Sequence, residues 1–223
     1  MADLTKRNPF GLSLADLRED YRLAELNEAN CASNPIEQFE KWFEEAQAAQ
    51  LKEPNAMTLA TATVDWKPSA RIVLLKDVED GGFVFYTNYE SRKGQDLEAN
   101  PRCALTFYWA DLERQVRIEG IAERVSPEKS GDYFSTRPRG SRLGAWASRQ
   151  SAEISSRSEL ENRLTRLEKQ YADTDRIPVP DYWGGYMVSP QLIEFWQGRT
   201  NRLHDRIAYR LLDGGWMRAR LSP

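Results

Sequence analysis

Three runs of β-branched and aromatic residues, AMTLATATV at 56–64, ARIVLLKDV at 70–78 and GFVFYTN at 82–88, succeed one another with only DWKPS and EDGG at the joins. Joins this short suit antiparallel neighbours, because a parallel pair needs a crossover of a dozen residues or more. DWKP is not a favoured two-residue hairpin sequence, so a longer loop is expected there. RCALTFYW and ERQVRIEGIAERV continue the pattern, and in the second Val116 and Ile118 alternate with Arg117 and Glu119, the period of a half-buried strand. QLIEFW, RIAYRLL and GWMRARL close the chain, the last two joined by DGG, a tight-hairpin signal. About seven or eight mostly antiparallel strands imply a mainly β fold with helices (α+β). They suit a closed or nearly closed barrel, not a doubly wound sheet.

Helical signals interrupt the strands. Asn34 as N-cap, Pro35 at the first position and Glu37 in the first turn open an amphipathic helix over about 35–50, with Ile36, Phe39, Trp42, Phe43 and Ala46 on one face. ESRKGQDLEANP predicts a short helix ended before Pro101, and Ser126-Pro127 opens another ending near Thr136. A further helix covers about 157–172, with Leu160, Leu164, Leu167 and Tyr171 on its stripe. Residues 1–33 read as an N-terminal arm with a short helix near 13–25. Residues 34–223 read as a single domain with a helical excursion over about 126–183.

Charge narrows the partners. A net charge of −3 over 223 residues gives no general attraction to nucleic acid or to an anionic membrane, so any anion site must be local. The first residues contain no apolar signal-peptide core, and no stretch approaches the ~20 apolar residues of a membrane span. Cys31 and Cys103 read better as two reduced thiols than as one disulfide, and a cytoplasmic protein is expected. One histidine and two distant cysteines cannot supply a zinc site of the usual spacing. The chain also has no GxxxxGK-S/T loop, no GxGxxG after a first strand and no GxSxG elbow. His204 and Asp205 are adjacent, and adjacent strand residues point to opposite faces, which disfavours a Ser-His-Asp arrangement.

What remains is a set of cations beside hydroxyls and rings. Arg71 and Lys76 bracket IVLL, while Tyr86, Thr87, Ser91, Arg92 and Lys93 fall at a strand end and helix start, where backbone N–H groups also favour an anion. DYFSTRPRGS sets Tyr133, Arg137, Arg139 and Ser141 in a polar loop around a proline. Taken singly, each reads better as a solvated rim charge or a core ring. Together, the two clusters point to two phosphorylated ligands. If RLHDR is extended, Arg202, His204 and Arg206 share one face beside Trp196, forming a cationic wall suited to a planar anionic heterocycle. That wall would hold the His204 pKa below its usual ~6.5 and leave the ring neutral, with one hydrogen bond to donate and one to accept.

IEFWQGRTNRLHDR at 193–206 resembles the C-terminal signature of the pyridoxine (pyridoxamine) 5′-phosphate oxidase family. RIVLLK, FYTNYESRK, ERQVRIEG, YFSTRPRGS, GAWASRQS and PDYWGGYMVSP resemble its other blocks in the same order. The resemblance covers the chain from about residue 14. It implies an FMN-binding split β-barrel working as a homodimer, with FMN in the subunit interface. It also implies oxidation of pyridoxamine 5′-phosphate or pyridoxine 5′-phosphate to pyridoxal 5′-phosphate, with hydride passing to FMN and O2 reduced to H2O2.

By the same resemblance, Arg71, Ile72, Tyr86, Thr87, Arg92 and Lys93 should meet the FMN phosphate and ribityl chain. Gln115, Gln150 and Ser151 should add flavin contacts, with Trp196 and Arg206 completing the cofactor site. Lys76, Tyr133, Arg137 and Ser141 should hold the substrate phosphate. Arg202 and His204, as catalytic residues, should lie against the pyridine ring, and Arg18 and Tyr21 should close over the substrate. Arg202 is a poor proton acceptor and is assigned to positioning and charge stabilisation. His204 is left as hydrogen-bond partner or proton carrier. Two alternatives stand beside this reading: a related split-barrel flavoprotein acting on another substrate, which would lack the RPRGS and RLHDR pair, and a non-catalytic module that binds pyridoxal phosphate.

Overall fold

ARIVLLKDV forms two strands, not the one its pattern suggests. In the computed structural model, which describes residues 20–223, β1 (Ala56–Ala62) pairs with β2 (Pro68–Leu74), and β3 (Asp77–Glu79) pairs with β4 (Gly82–Asn88). Only Leu75 and Lys76 separate β2 from β3, yet these strands stand at opposite ends of the sheet order β2-β1-β5-β6-β7-β4-β3. The Cα steps from Leu74 to Asp77 span at most about 11 Å. The two ends of the sheet are therefore drawn together, and the sheet must curl. Backbone bonds pin the corner: the Leu75 N–H donates to Asn55 O and the Lys76 N–H to Val84 O, each at 2.8 Å.

β5 (Arg102–Trp109), β6 (Arg114–Arg124), β7 (Trp183–Gln197), β8 (Asp205–Leu212) and β9 (Gly215–Leu221) complete a nine-stranded sheet, with every pairing antiparallel. The expected barrel-like antiparallel fold is present. Residues 63–67 make the longer loop expected at DWKP, and Asp213-Gly214 makes the tight turn between β8 and β9.

β7 is longer than QLIEFW. It begins at Trp183 and runs through Pro190, a residue that normally marks a strand's end. Gly120 faces Pro190 while Glu119 faces Leu192, so Gln191 is an extra residue in a β-bulge. A bulge tolerates a residue with no N–H to give. It also bends the strand, letting residues 183–188 pair with β4 and residues 192–197 with β8.

α1 (Pro35–Ala48) forms as expected, with Asn34 Oδ1 accepting the Ile36 N–H at 2.8 Å. It lays Phe39 edge-on against Phe83 (4.9 Å) and Trp42 edge-on against Phe195 (5.2 Å), deep in the sheet's core. α2 (Arg92–Ala99), α3 (Pro127–Thr136) and α5 (Arg157–Gln170) match the expected helices. α4 (Arg139–Ala147) does not, since RPRGS suggested a loop; Pro138 stops α3 and stands at the N-cap of α4. Phe134, Leu143, Ile177 and Trp183 form a second, smaller core, with Leu164, Leu167 and Tyr171 against it.

The short helix near 13–25 falls partly outside the described residues, and residues 20–25 are not helical. Their amides are spent elsewhere: the Leu23 N–H donates to Glu113 Oε2 (3.0 Å) and the Leu26 N–H to Asp205 Oδ2 (3.1 Å).

A Cβ on Gly120 would overlap the Ser189 carbonyl oxygen across the bulge. Gly120→Ala should therefore lower unfolding stability by about 1–3 kcal/mol, read as a shift of the urea midpoint at unchanged m-value.

Candidate functional site

The first turn of α2 gathers positive charge. Ser91 caps it, its Oγ accepting the Gly94 N–H at 3.3 Å. Lys93 is only 8% exposed. Its Nζ donates to Thr87 Oγ1 (3.1 Å), Ser91 Oγ (3.2 Å) and Gln150 Oε1 (3.1 Å), all of them neutral acceptors. Burial, with the Arg71 charge nearby, lowers its pKa to about 8. Arg71 reaches the same region from β2, donating to Thr61 Oγ1 (2.7 Å) and Ser69 Oγ (2.8 Å). Thr61 donates on to Asp96 Oδ2 at 2.6 Å, and that carboxylate stands 3.7 Å from Arg71 Nη2. Burial lowers the Arg71 pKa, Asp96 pushes it back up, and Arg92 lowers it again. Arg71 thus faces a buried carboxylate, while Arg92 and Lys93 stand at a helix start whose own dipole is positive. Ser151, at φ 72°, docks on this turn by accepting the Arg92 N–H at 3.2 Å.

Beside this turn lies a cleft of about 650 Å³, within the size range of ligand sites. Its walls include Ile72 and Lys76 from the β2–β3 corner, Tyr86, Thr87 and Lys93, then Tyr133, Arg137, Ser141 and Gln150. Of the consecutive residues Arg71 and Ile72, Ile72 is part of the wall and Arg71 is not. Tyr86 stacks on Tyr133 at 4.0 Å, and Trp183 lies parallel to Tyr86 at 5.5 Å. Burial raises the Tyr86 pKa to about 12, which keeps its hydroxyl protonated. The Arg137 guanidinium sits over the Trp183 ring at 4.7 Å, and among the described residues its buried Nη1 has no hydrogen-bond partner. Burial lowers its pKa, opposed by Tyr133.

RLHDR is not an extended run. Asn201 (φ 56°) and Arg202 (φ 61°) are both left-handed, within a turn at Thr200–Arg202, and β8 starts only at Asp205. Arg202, His204 and Arg206 therefore do not share a strand face. Arg206 is bound twice by Glu194 (2.8 and 3.1 Å) and is the cross-strand partner of Trp196. His204 instead packs at 4.6 Å from Trp196, with the Tyr21 ring 5.8 Å from each. Gln115 is the cross-strand partner of Trp196. The His204 pKa is lowered, by burial first and the Arg202 charge second. Its Nδ1 accepts the Arg199 N–H at 3.1 Å, so the neutral ring offers a ligand one Nε2–H donor and no acceptor.

The expected residues thus form two groups. Ile72, Lys76, Tyr86, Thr87, Lys93, Tyr133, Arg137, Ser141 and Gln150 meet at the cleft, with Arg71, Arg92 and Ser151 at its α2 end. Tyr21, Gln115, Trp196 and His204 meet at the far end of β7, with Arg202 and Arg206 nearby, and none of them lines the cleft. Arg18 lies outside the described residues. Sequence reasoning missed Asp96, whose helix reads as plainly polar, and Trp183, which the PDYWGGY block could have flagged.

Sulfate, whose charge is constant near neutrality, should bind the ligand-free protein more weakly as pH rises through about 8 and Lys93 loses its proton. Calorimetry across that range should show the step, and Lys93→Met should remove it.

Residues 43–171 match a family described as pyridoxamine 5′-phosphate oxidase, and residues 183–223 one described as the pyridoxine 5′-phosphate oxidase C-terminal dimerisation region. A Rubrobacter xylanophilus protein named pyridoxine/pyridoxamine 5′-phosphate oxidase is 60% identical over 94% of this chain and 96% of its own length. A Salinibacter ruber protein of the same name is 58% identical over 94% and 99%. Among solved structures, PhzG from Burkholderia lata, in complex with tetrahydrophenazine-1-carboxylic acid, superposes with a TM-score of 0.86 at 28% identity, covering 92% of this chain and 100% of that one. A pyridoxamine 5′-phosphate oxidase-related, FMN binding protein from Nostoc punctiforme gives 0.69 at 16% identity over 86% and 100%, a likeness of fold.

Proposed function

The chain belongs to the pyridoxamine 5′-phosphate oxidase family, and from that premise we propose how its two groups of residues serve the reaction. It is an FMN-dependent oxidase that converts pyridoxamine 5′-phosphate or pyridoxine 5′-phosphate to pyridoxal 5′-phosphate. The observation that carries the assignment of residues is the cleft's uncompensated charge. Lys93 is buried among neutral acceptors, and Arg137 Nη1 is buried with no partner among the described residues. A buried cation without a counter-ion is costly, and a bound phosphate relieves the cost. Two such groups in one cleft fit a phosphorylated flavin and a phosphorylated pyridine together.

Lys93, Arg71, Arg92 and the α2 amides would take the FMN phosphate, with Thr87, Gln150 and Ser151 holding Lys93 and the turn in place. Lys76, Tyr133, Arg137 and Ser141 would take the substrate phosphate. Anchoring a phosphate away from the reacting carbon lets binding energy fix orientation. When bound, FMN supplies the two-electron acceptor for the oxidation, with dioxygen as the final oxidant.

His204 and Trp196 belong to this site only if it spans two subunits. Trp183 and Trp196 are thirteen residues apart on β7, up to about 43 Å of extended strand. The dimerisation region that the C-terminal segment matches contains Trp196, Arg202, His204 and Arg206. In this reading a homodimer seats the Trp196–His204 corner of one copy over the cleft of the other, with FMN between them. His204 would donate from Nε2 to the substrate, Arg202 would stabilise charge, and Tyr21 would cover the pair. Arg206, committed to Glu194, would keep the Trp196 strand pair rigid. Two free thiols support a cytoplasmic setting, with Cys103 pushed up to about 12 by burial. Among the described residues no helix is long and apolar enough to cross a membrane.

Purified protein should be yellow, and pyridoxamine 5′-phosphate added without oxygen should bleach it; a colourless protein that takes up no FMN would refute the cofactor-dependent reading. Arg71→Ala should weaken FMN binding about tenfold or more, by loss of charge-assisted hydrogen bonds, with a smaller effect on kcat in flavin-saturated protein. His204→Asn should do the reverse. An Arg71→Ala protein that purifies fully loaded with flavin would remove Arg71 from the cofactor site.

A further inference from the structure

Arg137 is held in the cleft by rings and not by an acid. Among the described residues, no carboxylate lies within ion-pair distance of its guanidinium, and none of its side-chain N–H groups is given to a protein acceptor. Its charged carbon stands 4.7 Å above the Trp183 ring and 5.6 Å from the Phe134 ring. Trp183 is itself firmly held at the edge of the cleft. It is 8% exposed, parallel to Tyr86 at 5.5 Å and to Tyr133 at 6.2 Å, and edge-packed on Phe134 at 4.9 Å. Its backbone N–H donates to Pro180 O at 2.9 Å, and its residue pairs with Asn88 at the start of β7.

We propose that Trp183 is a positioning residue which holds Arg137 with its N–H fork free, and so sets the enzyme's preference for phosphorylated over unphosphorylated substrates. The proposal rests on the reading that Arg137 receives the substrate phosphate. The chemistry distinguishes a ring from the more common acidic partner. A carboxylate would fix the guanidinium by consuming two of its N–H donors, and would then repel the incoming phosphate. An aromatic face attracts the cation through its quadrupole, uses no N–H, and carries no charge to oppose the ligand. The same rings tie Arg137 to Tyr133, a second expected phosphate contact, because Tyr133 and Trp183 are within 8° of parallel in one stack. Trp183 thereby sets the relative position of two groups on α3 and its C-cap from outside that helix.

The test uses flavin-loaded Trp183→Leu and Trp183→Phe enzymes, with pyridoxamine 5′-phosphate and unphosphorylated pyridoxamine as paired substrates. Pyridoxal 5′-phosphate and pyridoxal serve as paired ligands in equilibrium binding. For Trp183→Leu the ratio of kcat/KM between phosphorylated and unphosphorylated substrate should fall about tenfold, the size expected for a partly desolvated cation–π contact. The loss should lie in KM and be matched in pyridoxal 5′-phosphate affinity. Trp183→Phe, which keeps an aromatic face and most of the packing volume, should recover part of it and carries the test if leucine unfolds the small core. In an Arg137→Ala background, Trp183→Leu should change the ratio by clearly less than it does alone, the remainder passing through Tyr133. An equal loss on both substrates, or an undiminished effect of Trp183→Leu in the Arg137→Ala background, would overturn the proposal. Arg137→Ala alone separates the two claims: if it does not change the ratio, the assignment of Arg137 to the substrate phosphate falls first.

Discussion

Leu75 and Lys76 tie the first strand in the sheet order to the last, and much of the molecule follows from that short tether. A nine-stranded antiparallel sheet with free ends could lie open. Here the ends cannot separate by more than the reach of two residues, so the sheet wraps around Phe39, Trp42 and their partners in the core. The tether also places chemistry. Ile72 and Lys76 stand at the corner, and the strand just across it, β4, brings Tyr86 and Thr87 to the same cleft. α2 leaves that strand at once and delivers Lys93 behind them. One closure thus assembles a floor from segments that pair with opposite ends of the sheet.

The cleft's walls are costly to the ligand-free protein. Lys93 is buried deeply enough for its pKa to fall to about 8, and Arg137 hides a nitrogen that bonds to none of the described residues. Neutral partners steady both cations without quenching them: hydroxyls and an amide around Lys93, rings around Arg137. Arg71 is handled differently, being drawn to Asp96 through Thr61. The site therefore holds one cation partly balanced by a buried acid and others left for the ligand, an arrangement that favours anion binding over ligand-free stability.

The strands were largely legible because β-branched and aromatic runs state their own length. What failed were places where one run serves two partners. ARIVLLKDV has uniform β character, and nothing in its residue types marks Leu75 as the corner; the bonds that create the corner go to Asn55 and Val84, outside the run on either side. VSPQL misled in the other direction, since proline reads as a stop unless the bulge opposite Gly120 is known. The cationic clusters were legible by type and in part by resemblance. The geometry of RLHDR was not: Asn201 is of a type that tolerates the left-handed region, but nothing marks Arg202 as a second left-handed residue directly after it. Asp96 left no signal at all, being one acid on a polar helix.

The bulge in β7 has a consequence in counting. In a regular strand, residues thirteen apart point to opposite sides, yet Trp183 and Trp196 both stand on the side away from the main core. Before the bulge the core takes Tyr186 and Val188; after it, Ile193 and Phe195. Gln191 shifts the parity from even to odd, and so lets one strand show an indole outward at each end while filling the barrel along its length. A regular strand of the same residues, with no bulge to absorb Gln191, would turn Trp196 into the core and the phenylalanine beside it out to the surface.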